Sequence, residues 1–123
     1  MRLYRGLKEP FEPTRRSTES GDGADFTDCP LTALGYATGR KGVVLVLDMP
    51  DGHRRLREEL WLHRTAKRFM ISGSYESFVV HQIPAKELRA EVRRKGNGTL
   101  PDSDKSMILG WYVARRGGEP ARP

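Results

Sequence analysis

A single cysteine and three scattered histidines leave this chain without an internal disulfide and without ligands at metal-site spacing. No apolar run approaches the roughly 18 residues of a membrane span. The opening "MRLYRGLKEP" has no hydrophobic leader core, so the chain is expected in the cytoplasm, with no metal and no membrane contact. Internal repeats are absent too, and so is a concentrated basic tract. The formal charge of +6 is spread through arginine pairs at 15–16, 54–55, 93–94 and 115–116, a pattern typical of solvated surface. That excess suits an anionic partner, whether nucleic acid, a nucleotide or an acidic protein face, without selecting among them.

What is present fits one domain of 123 residues, with 37% hydrophobic residues, two tryptophans, four tyrosines and four phenylalanines for its core. The reading divides it into a domain over 1–116 and a disordered tail over 117–123. "RLYRGL" alternates as a short strand ending near Gly6. Residues 8–23, rich in Pro, Ser, Thr, Glu and Gly, read as a long loop. Asp28 or Cys29 then caps a helix with Pro30 in its first turn, its apolar face made by Leu31, Leu34 and Ala37, and Gly39 closes it. "GVVLVLDM", residues 42–49, is apolar enough to be a strand buried on both faces at the centre of the sheet.

Residues 52–64 place Leu56, Leu60 and His63 at helical spacing, although "ELWLHR" also fits an extended segment. "RFMISG" and "SFVVHQI" read as strands separated by the bend "SYE", "AKEL" as one helical turn, and "RAEVRRK" and "MILGWYVA" as two further strands. Strands that follow one another without helices imply an α+β fold of mainly antiparallel sheet, with one or two helices.

Three stretches join a strand to a loop, where side chains are held rigidly yet reach a ligand. In "YRG", the permanently charged fork of Arg5 lies beside backbone at Gly6 that a ligand can approach, which suits a phosphate. In "FTD", the Thr27 hydroxyl serves either a ligand or a local turn bond. In "SYESFVV", Glu76 stands at the mouth of a buried strand, able to act as a base or to stabilise a cationic centre. Each has a plainer alternative, respectively a surface ion pair, turn bonding and a solvated edge carboxylate.

Taken in order, "LYRG", "DFTDCPLTALGYA" followed by "GVVLVLD", and "SGSYESFVVHQI" resemble the three motif regions of the ADP-ribosyltransferase fold, in its arginine–serine–glutamate branch, over roughly residues 3–83. The resemblance implies a split antiparallel sheet and NAD as substrate. Arg5 would hold the NAD phosphates, the Gly6 backbone would bond the nicotinamide amide, Thr27 would support the ribose and the glutamate, and Glu76 would be catalytic. Tyr36 and Phe69 are the aromatics implied near nicotinamide, each with core packing as its plainer alternative, and Ser74 and Tyr75 stand where related transferases recognise the acceptor.

Arginine-modifying members carry a second glutamate at the position of Ser74, so the resemblance implies some other macromolecular acceptor. Asp28 and Cys29 replace the second hydroxyl residue of the middle motif. The activity expected is mono-ADP-ribosyl transfer by a toxin or effector, with an immunity or antitoxin protein as a partner class.

Three other readings remain open at this point. With water as acceptor the same site is an NAD-glycohydrolase. A basic nucleic-acid-binding module would use Trp61, Trp111 and Tyr112 to stack bases. Transfer of an RNA 2′-phosphate to NAD requires additional Arg and His motifs that the sequence lacks. A nucleophilic Cys29 has no histidine placed to serve it, and His81 sits in an apolar run as a core or outward-alternating residue.

Overall fold

The N-terminal alternation becomes strand β1, Arg2–Leu7, in a computed structural model that describes residues 1–12, 24–59, 66–96 and 99–117. The chain continues through β2 (Ala24–Thr27), α1 (Pro30–Tyr36), β3 (Val43–Asp48), β4 (Leu56–Glu59), β5 (Arg68–Ile71), β6 (Val79–Pro84), α2 (Ala85–Gly96) and α3 (Asp102–Arg116). A 3-10 turn over Glu76–Phe78 leads into β6. The strands form one sheet in the order β4-β5-β2-β1-β3-β6, with each neighbouring pair antiparallel. This is a small α+β domain.

The sheet is continuous through its middle, where β1 and β3 pair from Arg2↔Asp48 to Leu7↔Val43. The register irregularity recorded between β3 and β6 falls at Val46/Leu47. β3 is buried along nearly its whole length, as its apolar run implies, yet it lies second from an edge. The central pair is β1 and β2.

The C-terminal third corrects the sequence reading. "RAEVRRK" is helical, because Ala85, Leu88 and Val92 recur at three- and four-residue spacing and bury one face of α2. "MILGWYVA" is helical for the same reason, with Leu109 and Val113 turned inward. Asp102 and Asp104 in the first turn of α3 and Arg115 and Arg116 in its last also complement the helix dipole. The described residues therefore contain three α-helices, one more than the upper expectation.

The helix expected over 52–64 is replaced, within its described part, by a turn at Gly52 (φ 70°) and by β4. Pairing of β4 with β5 from Leu56↔Ile71 to Glu59↔Arg68 satisfies its backbone at the sheet edge. Trp61 and His63, the loop arginines Arg15 and Arg16, and the tail beyond 117 lie outside the described residues.

The two faces of the sheet are covered differently. On one, Tyr4, Val44, Val46 and Ile83 pack with Leu34 of α1, Leu88 of α2, and Leu109 and Val113 of α3. On the other, Leu3, Phe26, Leu45, Leu47, Phe69 and Ile71 are covered by Tyr75, Phe11 and Phe78 from connecting segments. All three helices thus lie on one side. Glu87 ties α2 to α3 by accepting hydrogen bonds from the Tyr112 hydroxyl and from Arg116 Nε (2.7 Å) and Nη2 (3.2 Å). Arg89 closes the end of α1 by donating to the carbonyls of Leu34 (3.2 Å) and Ala37 (3.0 Å). Among the described residues, no helix is long and apolar enough to cross a membrane.

Candidate functional site

Side chains alternate along a strand, so Arg5 projects on the same side as Leu3, the side that carries no helix. Its Nη1 donates to the Asp25 carbonyl at 3.0 Å, and its guanidinium carbon lies 5.6 Å from the centroid of the Phe26 ring. That distance is within cation–π range. Phe26 meets Tyr75 edge-on at 5.0 Å, and Tyr75 stacks on Phe11 at 5.7 Å with an interplanar angle of 29°. Arg5, Phe26, Tyr75 and Phe11 therefore form a row across the helix-free face, and Glu76 is the residue after Tyr75.

Glu76 is half-buried and opens the 3-10 turn, and its carbonyl accepts the N–H of Val79. The strand expected to start at Ser77 starts at Val79, so the carboxylate belongs to the turn that enters β6. The bend before it is held by Arg55, whose Nη1 donates to the carbonyls of Ser74 (2.6 Å) and Ser72 (3.2 Å). The same guanidinium lies 5.5 Å from the centroid of the Phe78 ring. Gly73 takes a left-handed φ of 75° between those two carbonyls.

Gly6 meets a helix. A β-carbon there would fall 2.0 Å from the Ala33 carbonyl oxygen and 2.8 Å from the Ala37 nitrogen. α1 crosses β1 at a distance that only glycine permits. Thr27 also belongs to that side: it pairs opposite Tyr4, a residue of the helix-face core. It is buried, and its Oγ1 accepts the Cys29 N–H at 3.1 Å. The local turn bond of the plainer alternative is therefore present, and it positions Cys29, the residue that precedes Pro30 and α1.

The aromatics separate in the same way. Phe69 is buried in the core opposite Phe26 in the β2–β5 register. Tyr36, expected near a nicotinamide ring, ends α1 with 58% of its surface exposed. Tyr75, expected to contact the acceptor from the bend, is 2% exposed because its ring turns inward between Phe11 and Phe26. Ser74 remains at the surface. The fold thus brings Arg5, Phe69, Tyr75 and the turn carrying Glu76 to one face, and Gly6 and Thr27 to the other.

Two residues that shape the site escaped the sequence reading. Phe11 is the one large aromatic in the polar stretch 8–23, a signal that this end of the stretch is anchored. Gln82 anchors it, donating from Nε2 to the Phe11 carbonyl (3.1 Å) and accepting the Phe11 N–H on Oε1 (2.9 Å). Arg55 was hidden among the charges of a presumed helix.

Arg68 Nε donates to Asp25 Oδ1 at 2.6 Å, and this bond raises the guanidinium pKa above its ordinary value against the opposing effect of burial. Asp25 is thus gripped twice, at its carboxylate by Arg68 and at its carbonyl by Arg5. Cys29 Sγ is hydrogen-bonded to Ser106 Oγ at 3.0 Å, joining the start of α1 to α3, and the His81 ring of β6 packs so close to the end of α3 that it would collide with a β-carbon at Gly117. Among the described residues, no three His, Cys, Asp or Glu side chains group as metal ligands. No protein-family model, curated protein or solved structure matches this chain.

Proposed function

We propose that the protein is an NAD-dependent mono-ADP-ribosyltransferase whose site is the helix-free face of the sheet around Arg5 and Glu76. One observation carries the reading: a strand arginine, held by a backbone carbonyl beside an aromatic row, shares a sheet face with a turn that presents a half-buried glutamate. A dinucleotide needs a cation for its pyrophosphate, flat apolar surface for its rings, and a carboxylate near the ribose whose bond breaks.

Arg5 would bind and orient the phosphates, and Glu76 would act on the ribose. As the C1′–N bond breaks, its electron pair leaves with nicotinamide and positive charge develops on the ribosyl carbon and ring oxygen. A fixed carboxylate stabilises that charge most in the transition state. A nucleophile of the macromolecular acceptor then bonds to C1′ and loses its proton. Thr27 enters this scheme only through the helix it helps to start.

Nicotinamide release from NAD by the purified protein, with and without cell lysate as a source of acceptors, tests the reading. Glu76→Gln and Arg5→Ala should each lower it by at least about a hundredfold, the scale of losing one electrostatic contact in a transition state. Release that needs no acceptor identifies the glycohydrolase variant of the same site. No release under either condition overturns the NAD reading and favours a basic nucleic-acid-binding module.

A further inference from the structure

We infer that the outer face of α3 is a self-association surface on which a second copy of this chain packs its own α3 antiparallel. Ser103, Met107, Trp111 and Arg115 recur every four residues and form one stripe along the helix. Met107 is 47% and Trp111 59% exposed, two of the largest apolar exposures among the described residues. Between them, a β-carbon at Gly110 would meet nothing within 4 Å, so the stripe has an open notch that lets another helix approach closely. The opposite side of α3 is fixed, with Leu109 and Val113 fully buried. The helix cannot roll to hide Trp111 without exposing them.

The ends of the stripe identify the occupant. Of the charges at the helix ends, Asp104 in the first turn flanks the Ser103 end of the stripe and Arg115 in the last turn forms its other end, while Arg116 is turned toward Glu87 of α2. In an antiparallel pair, two-fold symmetry sets Met107 of each copy against Trp111 of the other and brings Asp104 of each toward Arg115 of the other. The helix dipoles then also oppose favourably. Parallel packing would align like charges at both ends. A nucleic acid laid along the stripe would meet the Asp104 carboxylate. One helix pair buries on the order of 1,000 Å², the low end for specific interfaces, so the dimer is weak and concentration-dependent.

Sedimentation velocity of the full chain over a wide concentration range should show a monomer shifting to a dimer. Trp111→Glu and Met107→Glu should each abolish the dimer while leaving the thermal melt unchanged, because both side chains point to solvent. In a Cys29→Ser background, Ser103→Cys and Arg115→Cys should form a disulfide dimer efficiently only when the two proteins are mixed. A monomer at every concentration, or a dimer indifferent to both glutamate substitutions, would overturn the proposal. So would Ser103→Cys cross-linking to itself more readily than to Arg115→Cys. Single-stranded RNA binding that Trp111→Glu removes from a strictly monomeric protein would overturn it in favour of base stacking.

Discussion

Gly6 shows how one position can look like a ligand contact in sequence and serve a packing contact in three dimensions. Both readings rest on the missing β-carbon, which lets something come close, and what comes close is the backbone of α1. Gly6→Ala must therefore move a helix and not merely a side chain. We expect a loss of about 3 kcal/mol, the upper end of ordinary overpacking costs, read from the denaturation midpoint. An unchanged midpoint would mean that α1 does not cross β1 as described. Arg5 was legible as a marked residue because a guanidinium beside a glycine at a strand end is unusual. Its cradle of the Asp25 carbonyl and the Phe26 ring was not legible, since it depends on the register of β2. Tyr75 was misplaced for the same reason: adjacent serines, a glycine and a glutamate suggest an exposed bend, while Phe11 and Phe26, distant in sequence, draw the ring inward.

Among the elements, β1, α1 and β3 were readable because their local signals agree: alternation, a proline at the helix start, and a β-branched apolar run. α2 and α3 were not, because short apolar groups separated by charges fit both periods until the burial of Leu88, Val92, Leu109 and Val113 decides between them. Their mutual attachment gives a pH prediction. The hydrogen bonds from Arg116, and next those from Tyr112, hold the Glu87 carboxyl below its usual range against an opposing effect of burial. A carboxyl depressed in the folded state stabilises at neutral pH and loses that contribution as pH falls below about 4.3 and through the depressed value. The Arg2 hydrogen bond lowers Asp48 in the same sense, tying the start of β1 to the end of β3. Thermal melts across acid pH should thus show Glu87→Gln a few degrees less stable than wild type near neutrality, with the two converging in acid. Curves that stay parallel would remove Glu87 from the acid response. At the alkaline end, the bond to Glu87 raises the Tyr112 pKa, so that contribution persists below the ordinary tyrosine value and fades as pH rises through the raised one.

For the whole molecule, the governing feature is a sheet with helices on one side and connecting segments on the other. The helical side is bound by buried aliphatic side chains, whereas the candidate site rests on stacked aromatics in loops. Tyr75→Ala should cost about 3–5 kcal/mol, as for other buried aromatics. Hydrogen exchange should show the 72–78 segment opening more than α2 or α3, and a globally uniform increase would mean that the two sides are one cooperative unit. The outer strands carry a further consequence. β4 is four residues long and presents Arg57, Glu58 and Glu59, and β6 ends in Pro84 while Gln82 grips the Phe11 backbone with its amide. Short length, charge, proline and a side-chain cover all discourage a stranger's strand from joining the sheet. Heated or crowded, this protein is built to resist ribbon-like polymerisation, and its copies meet through a helix, where contact stops at two.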